Sequence, residues 1–370
     1  QTPYNAAIVS HEHMHVYAYV GLGETFAKLF VVIGLCYYPY DRLAVWGFAL
    51  FAIQLCSSLL YRFYCIKKFD NCNLRRNTWD LPLAKSMLGF TGWNMFGTIA
   101  WTLKDQGASI LLNIFGGPAI NAARGVSGQV TGAVKGLVGG FQSAVNPQLT
   151  KTYAANDTES TCRLLCKSSK FSYFLLLLIS IPVILEINFL LNIWLVEVPP
   201  YAALFTQIVI MEALFDTLGG PMITSLMATG RIKWYQIVVG SILLLNIPIA
   251  YLLLKLGYPI VTPLVVSLAF MIIGNATRLL FCKNMLGLSI RTYIRTVILP
   301  ITIVSVLAFI VPYIIVSVMT EGWLRLLTCS ASSVVFGVAA IFCCGFTTSE
   351  RSFIINLLRN KLLRHKPSNL

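Results

Sequence analysis

Charged residues are scarce in this chain of 370 residues, and acidic ones are the scarcest. Only 11% of the residues are charged, with 14 Asp and Glu against 28 Lys and Arg, and there are four histidines. Soluble globular domains carry about 25% charged residues, so the composition excludes that class. With 57% hydrophobic residues and a mean hydropathy of +0.74, the chain is expected to be an all-α, polytopic integral membrane protein.

The sequence shows neither the pattern of a cleavable leader at Gln1 nor that expected of a disulfide framework. The chain begins with Gln1 and no basic, apolar, small-residue leader follows, so we expect its first residues to lie inside a longer protein. The ten cysteines fall mostly on apolar segments or in loops expected on the cytoplasmic side, which argues against disulfides. Cys162 and Cys166 can share a helix face, but without nearby histidines a metal site there is not favoured.

Ten apolar runs are long enough to cross a hydrocarbon layer of about 30 Å. They cover residues 15–37, 43–66, 86–113, 120–146, 169–187, 201–226, 236–256, 260–282, 293–319 and 324–346. An even number of crossings predicts that both ends of the chain lie on the same side of the membrane.

Basic residues alternate between the loops. Those after even-numbered helices, with the helix ends beside them and the tail, hold most of the lysines and arginines, whereas opposite loops offer little beyond Arg42, Lys255 and Arg325. This positive-inside pattern places both termini in the cytoplasm and accounts for the formal charge of +14 without a nucleic-acid partner. The residues on the basic side before the tail are Lys67, Lys68, Arg75, Arg76, Lys85, Lys151, Arg163, Lys167, Lys170, Arg231, Lys233, Arg278, Lys283, Arg291 and Arg295.

A faint internal repeat suggests how the helices group. Pro3, Tyr17 and Val20 match Pro221, Tyr235 and Val238 at a shift of 218 positions, and each copy leads into two hydrophobic helices. We infer a six-helix lobe present once in full and once as its last two helices, the two related by an axis along the membrane normal. The predicted organisation is a remnant of an N-terminal lobe at 1–67, a basic cytoplasmic loop at 68–85, a complete C-terminal lobe at 86–282, two additional helices at 283–346 and a basic cytoplasmic tail at 347–370, with a short amphipathic segment from Ser352 to Leu363 at the inner surface.

The third and fourth segments, joined at Gly116-Gly117-Pro118, carry charges where hydrocarbon is expected. A helix turning about 100° per residue gives each of them a polar stripe. The stripe of the fourth segment holds Arg124, Gly128, Thr131, Lys135, Gln142 and Asn146, and that of the third holds Asn94, Thr98, Trp101, Asp105 and Ser109. A Lys or Arg in a membrane helix costs about 2.5–3.5 kcal/mol on insertion scales, so these side chains should face a wet cavity or a partner. The candidate substrate-binding residues are Arg124, Lys135, Thr131, Gln142, Asn94 and Asp105.

Other intramembrane charges leave alternatives open. Glu24 and Lys28 have the i, i+4 spacing of an ion pair on one helix. Glu212 and Asp216 share that spacing with like sign, so we expect either a cation from another helix beside them or a role in ion coupling. The glycines at 128, 132, 136 and 140 fit either a seam for close helix packing or a flexible helix.

One enzyme motif, H-E-x-x-H, begins at His11 and ends at His15, with Glu12 as its possible base. On a helix it would set two zinc ligands on one face. No local pattern marks a third ligand, and a cluster of interfacial histidines is the simpler interpretation, so we predict no metal site and no enzyme.

Six short motifs occur along the chain: Gly92-Trp93-Asn94-Met95-Phe96-Gly97, Asp105-Gln106-Gly107, Asn113-Ile114-Phe115-Gly116-Gly117-Pro118, Asn121-Ala122-Ala123-Arg124-Gly125, Asn146-Pro147-Gln148 and Ala228-Thr229-Gly230-Arg231-Ile232-Lys233. They resemble the polysaccharide-flippase (Wzx-like) branch of the multidrug/oligosaccharidyl-lipid/polysaccharide (MOP) exporter superfamily. The resemblance covers essentially the whole chain. It implies two six-helix lobes, of which the first four helices are missing here, and movement of undecaprenyl-diphosphate-linked oligosaccharides between leaflets by alternating access.

The sequence therefore predicts a flippase for a lipid-linked glycan in a bacterial inner membrane, with no cofactor. H⁺ or Na⁺ is the expected coupling ion, with Glu212 and Asp216 as candidates, and a glycan polymerase or assembly complex is an expected partner. The alternatives are a MATE-like drug or cation antiporter, an intramembrane metalloprotease, and a structural subunit of a glycan-assembly complex.

Overall fold

A computed structural model describes residues 2–11, 13, 15–36, 42–69, 80–347 and 350–352 of the chain. These residues form helices joined by turns, and no strand occurs among them. Eight of the helical segments are long and apolar enough to cross a membrane. The chain is thus an all-α, multi-pass membrane protein.

The structure divides into two compact units, Gln1–Ala84 and Lys85–Leu370. The first holds α1 (Thr2–Ser10), α2 (His15–Cys36) and α3 (Arg42–Lys68). Both α1 and α2 pack on α3, around a small core centred on Ile8, Tyr61 and Phe69. On α2 the expected pair forms, with Glu24 Oε2 and Lys28 Nζ 3.7 Å apart.

The H-E-x-x-H motif falls at a junction between helices rather than on one helix. Because α1 ends at Ser10 and α2 begins at His15, the regular one-face spacing that zinc ligation requires is not available there. His11 Nδ1 lies 2.8 Å from the carbonyl oxygen of Ala7, and its ring stacks on Phe69. Glu12 and the side chain of His15 lie outside the described residues.

The second unit holds the remaining helices, except that the first four residues of α4 belong to the first unit. They are α4 (Leu81–Ala154), α5 (Thr158–Leu185), α6 (Ile187–Trp194), α7 (Ala202–Ala228), α8 (Lys233–Leu244), α9 (Asn246–Lys255), α10 (Thr262–Leu286), α11 (Ile290–Tyr293), α12 (Leu299–Val318) and α13 (Trp323–Ala340), with π-helical turns at Ile294–Ile298 and Ile341–Gly345. Within this unit α7 packs between α5 and α10, while α12 and α13 pack on each other and on α5. Most of the hydrophobic core lies along these contacts.

The helical tract α4 contains both polar segments and breaks where the sequence predicts their joint. Gly117 has φ 77° and ψ −177°, a conformation open essentially only to glycine, and Pro118 follows it. A Cβ on Gly116 would lie 2.8 Å from the side chain of Ile120, so this position also requires a glycine. α4 is not among the eight apolar spans, since its charges and glycines lower its hydropathy. That each half crosses the membrane, giving ten spans, stays a prediction.

Several expected loop residues lie inside helices instead. The span predicted to begin at 169 begins at Thr158, because Asp157 caps the helix by accepting a hydrogen bond from the backbone N–H of Ser160 at 2.9 Å. Arg163, Lys167 and Lys170 are therefore on α5 rather than in a loop. The sequence predicts a loop at the start of α5 because this stretch is as polar as a typical connection between helices.

Two buried ion pairs connect α5 and the residue that follows it to the start of α13 and to Glu350, beyond its end. Arg325, expected in a loop, lies in the first turn of α13, and its Nε and Nη2 each donate to Glu186 at 2.8 Å. Just beyond α13, Glu350 accepts a hydrogen bond from Lys170 Nζ at 2.7 Å. The rest of the predicted tail, including most of the segment from Ser352 to Leu363, lies outside the described residues.

Candidate functional site

A cavity of about 510 Å³ lies between the two halves of α4 and the neighbouring α7 and α10. Its walls are polar although the surrounding helices are apolar. It is lined by Trp101, Lys104, Asp105, Gln106, Ser109, Asn121, Arg124, Gly125, Gly128, Thr131, Gly132, Lys135, Val209, Glu212, Ala213, Asp216 and Met271. The residues from the second half of α4 recur every three or four positions, which is the helical spacing that places them on one face.

The most deeply buried charge in the wall is Lys104 on α4, which forms an ion pair with Glu212 on α7. Glu212 also accepts a hydrogen bond from the Ser267 hydroxyl of α10 at 3.0 Å. Lys104 is 4% exposed. A cation at that depth needs a compensating negative charge, which Glu212 supplies here, so the pair joins α4 to α7.

The second pair joins the two halves of α4 across the break at Gly117. Arg124 Nη2 donates to Asp105 Oδ1 at 2.6 Å, and the two residues lie on opposite sides of the turn. The exposed fraction is 42% for the Asp105 side chain but only 11% for Arg124. The carboxylate is therefore the part of this pair that the cavity can hydrate.

The third pair again connects α4 with α7, through Lys135 and Asp216. Lys135 Nζ and Asp216 Oδ2 are 2.5 Å apart, with side chains 35% and 24% exposed. Glu212 and Asp216, one helical turn apart and alike in charge, thus each have a lysine from α4. The sequence predicts, as one alternative, a cation from another helix beside Glu212 and Asp216. The structure places such a cation beside each of them.

Six of the predicted site residues line this one cavity: Asp105, Arg124, Thr131, Lys135, Glu212 and Asp216. Asn94 lines a smaller pocket instead, and Gln142 lies in neither. The Gln142 amide donates to the Ser172 hydroxyl at 3.1 Å and to the carbonyl of Thr217 at 3.2 Å, so it serves helix packing. The stripe on α4 turns away from the cavity beyond Lys135 because α5 and α7 close over it.

Lys104 is the lining charge that the sequence analysis did not assign to the site. Its neighbour Asp105 was chosen for its place on the polar stripe, and consecutive residues point about 100° apart. Glu212 was the signal that could have pointed to Lys104, because a carboxylate within a membrane helix needs a cation beside it. Gln106 and Asn121 also line the cavity, without a periodic signal of their own.

The glycines of the second half of α4 face open space. Among the described residues, no heavy atom beyond the local backbone lies within 4 Å of a Cβ built at Gly128, Gly132, Gly136 or Gly140. The packing-seam interpretation therefore finds no partner helix within the part of the chain that the structure describes. No helix among the described residues therefore packs closely against this glycine face of α4.

Comparison with known proteins gives no assignment. No family model, curated protein or solved structure matches the chain. The geometry must therefore be judged by its chemistry alone. Within the described ranges, no group of three or more His, Cys, Asp or Glu is placed to hold a metal ion. What the cavity offers is three ion pairs, a threonine hydroxyl and amide groups, which can hydrogen-bond a polar solute in place of water.

Proposed function

We propose that the protein translocates a lipid-linked glycan, of the undecaprenyl-diphosphate class, across a bacterial inner membrane without making or breaking bonds. The observation that carries the proposal is the 510 Å³ polar cavity within a bundle of membrane helices. Burying a sugar and diphosphate head in hydrocarbon is very costly, and a wall of paired charges and hydrogen-bonding groups lowers that cost. The motif resemblance to the polysaccharide-flippase branch supports the same class of substrate.

The ion pairs give alternating access a physical basis. Lys104–Glu212 and Lys135–Asp216 join α4 to α7, so breaking and re-forming them would let these helices move apart and close. A proton or Na⁺ arriving at Glu212 or Asp216 would compete with the lysine for the carboxylate. In this mechanism the coupling ion opens the wall and the substrate head occupies the space beside it.

The test is transport by the full-length protein in proteoliposomes that hold a polyprenyl-diphosphate-linked oligosaccharide. We expect the double variant Lys135→Gln and Asp216→Asn to reduce flipping at least tenfold, because the cavity wall loses both charged groups of this pair. Neutralising both members leaves no single charge unpaired. The control is Arg163→Gln with Glu159→Gln, an exposed ion pair on α5 outside the cavity, which should transport like the wild type. Wild-type flipping by the cavity variant would contradict the proposal.

A cation or drug antiporter is a second candidate, favoured by the exposure of Asp105 relative to its arginine. It is distinguished in the same vesicles. An antiporter should lose transport with Asp105→Asn and keep it with Lys135→Gln. A structural subunit would tolerate the loss of every charge in the cavity.

A further inference from the structure

A second pocket, of about 200 Å³, lies beside the cavity and shares Trp101 with it. It is formed by the first half of α4 together with α7, α8 and α10. Its lining residues are Asn94, Gly97, Thr98, Trp101, Ile223, Met227, Tyr235, Gln236, Val239, Gly240, Leu243 and Arg278. The pocket contains one charged residue, and that residue is a cation.

Arg278 differs from every other deeply buried cation that the structure describes. Lys104, Lys170 and Arg325 are each buried beside a carboxylate. Arg278 is 3% exposed, yet no carboxylate among the described residues lies within ion-pair distance of it. Its Nε also finds no hydrogen-bond acceptor within the described chain.

The guanidinium is held in position by neutral groups. Its Nη1 donates to the Asn275 side-chain oxygen at 2.8 Å, and the Asn275 amide in turn donates to the carbonyl of Phe215 on α7 at 2.7 Å. Gly219 on α7 makes room for both side chains, since a Cβ there would lie 2.7 Å from Asn275 Oδ1 and 3.2 Å from Arg278 Nη1. The charge is thus oriented but not neutralised.

Burying an unpaired charge is strongly unfavourable, so this position is stable only if something supplies the missing negative charge. A guanidinium donates in a planar fork that matches phosphate oxygens. The pocket also offers amide donors, because Gln236 Nε2 donates to Asn94 Oδ1 at 3.3 Å and leaves the Asn94 Nδ2 group for another acceptor. Its small volume suits a phosphate-bearing headgroup rather than a whole glycan.

The geometry points to Arg278 as an anion-binding residue that takes a phosphate or diphosphate group, with Asn94 and Gln236 donating beside it. That the anion belongs to the translocated lipid rests on the proposed function. The cavity and the second pocket would then bind different parts of the substrate. The paired charges of the large cavity face the sugars, and the unpaired arginine binds the diphosphate.

Binding is measured on the full-length protein in detergent, with farnesyl diphosphate, inorganic pyrophosphate and farnesol as separate probes. We expect farnesyl diphosphate to bind the wild type and to raise its melting temperature, and farnesol to do neither. Arg278→Gln should weaken diphosphate binding at least tenfold, because a charge-assisted fork is lost. Pyrophosphate binding as tight as that of farnesyl diphosphate would identify the free anion as sufficient, and tighter binding of the lipid form would identify a lipid headgroup site.

The melting temperature without anion separates this role from a structural one. Removing an uncompensated charge should leave the ligand-free Arg278→Gln protein as stable as the wild type or more stable, whereas loss of a structural contact would destabilise it. Arg278→Lys, which keeps the charge and loses the fork, should bind with intermediate affinity, and Arg163→Gln should bind like the wild type. Equal diphosphate affinity in the wild type and Arg278→Gln, or no binding by the wild type, would overturn the inference.

Failure of the inference and failure of the proposed function give different results. A wild type that binds diphosphate through Arg278 but does not flip the lipid-linked glycan keeps the anion site and rejects the flippase. A wild type that flips the glycan while Arg278→Gln binds and flips equally well keeps the flippase and rejects the anion site.

Discussion

At the residue scale, the cavity is defined by charges that are paired between helices. Each cation of α4 in the wall has its own carboxylate, so a single substitution both removes one charge and strands another. Loss of transport in Lys135→Ala alone would then report either lost substrate contact or a disturbed wall. Neutralising both members of a pair avoids this ambiguity, which is why the test of glycan flipping uses a double variant.

Acidification should release the helical turn that contains Glu350. Burial by itself would raise the pKa of Glu350, but the hydrogen bonds from Lys170 Nζ and the Thr347 backbone N–H outweigh burial, and the pKa lies below its ordinary value of 4.5. A carboxylate whose pKa is lowered by folding stabilises the folded state above its unfolded pKa, and this contribution is lost as the pH falls through the folded pKa. A bimane label on Ser352→Cys should therefore change its emission as the pH is lowered below about 4.5.

The control for this measurement is Glu350→Gln, which cannot ionise. In that variant the bimane label should already show, at neutral pH, the emission that the labelled protein with Glu350 shows at low pH. Its emission should not change further on acidification. A transition of unchanged midpoint would mean that another group controls the turn.

At the element scale, α4 depends on a backbone conformation rather than on side-chain packing at its break. The second half of α4 is rich in glycine, and yet only Gly117 within this tract has a positive φ. The sequence shows the joint through Gly116-Gly117-Pro118 but not that Asp105 and Arg124 meet across it. That contact depends on the angle between the two halves, which no local pattern fixes.

Gly117→Ala should destabilise the protein by about 1–3 kcal/mol, because the added Cβ is strained at this φ and ψ. Gly139→Ala is the matched comparison, since Gly139 is helical and a Cβ there meets nothing within 4 Å among the described residues. It should stabilise the protein by about 0.5–1 kcal/mol through helix propensity. Unfolding in mixed detergent micelles measures both, and equal effects of the two substitutions would contradict a special backbone role for Gly117.

At the scale of the whole molecule, hydrophobic run length predicted the class and most of the helices, because crossing a membrane leaves few alternatives to a long apolar helix. It did not predict α6, which is apolar but only eight residues long. It also missed the early start of α5, whose polar first turns look like a connection. Lys104 and Glu212 are 108 positions apart in the chain, so their pairing follows from packing rather than from any local signal. Arg278 was placed with the basic flanks, and it is distinguished only by its burial and by the lack of a carboxylate beside it among the described residues.

The arrangement of α4 in the membrane makes a prediction at this scale. Each half of α4 exceeds the roughly 20 residues that a crossing requires, so α4 should cross twice and return to the side on which it began. With the native cysteines replaced, Asp80→Cys and Asn156→Cys should react with an impermeant maleimide from one side, and Phe115→Cys from the other. Labelling of all three from the same side would show that α4 does not cross.

The cancellation of charge in the cavity wall also bears on energetics in a living cell. A full elementary charge carried across the bilayer exchanges about 2.3 kcal/mol with a membrane potential of 100 mV. The charges of the three ion pairs cancel in that exchange while each pair is intact. Arg278 is the exception. If the proposed function holds, the Arg278 charge would move through the field alone when no anion is bound, and turnover would depend on voltage at that step.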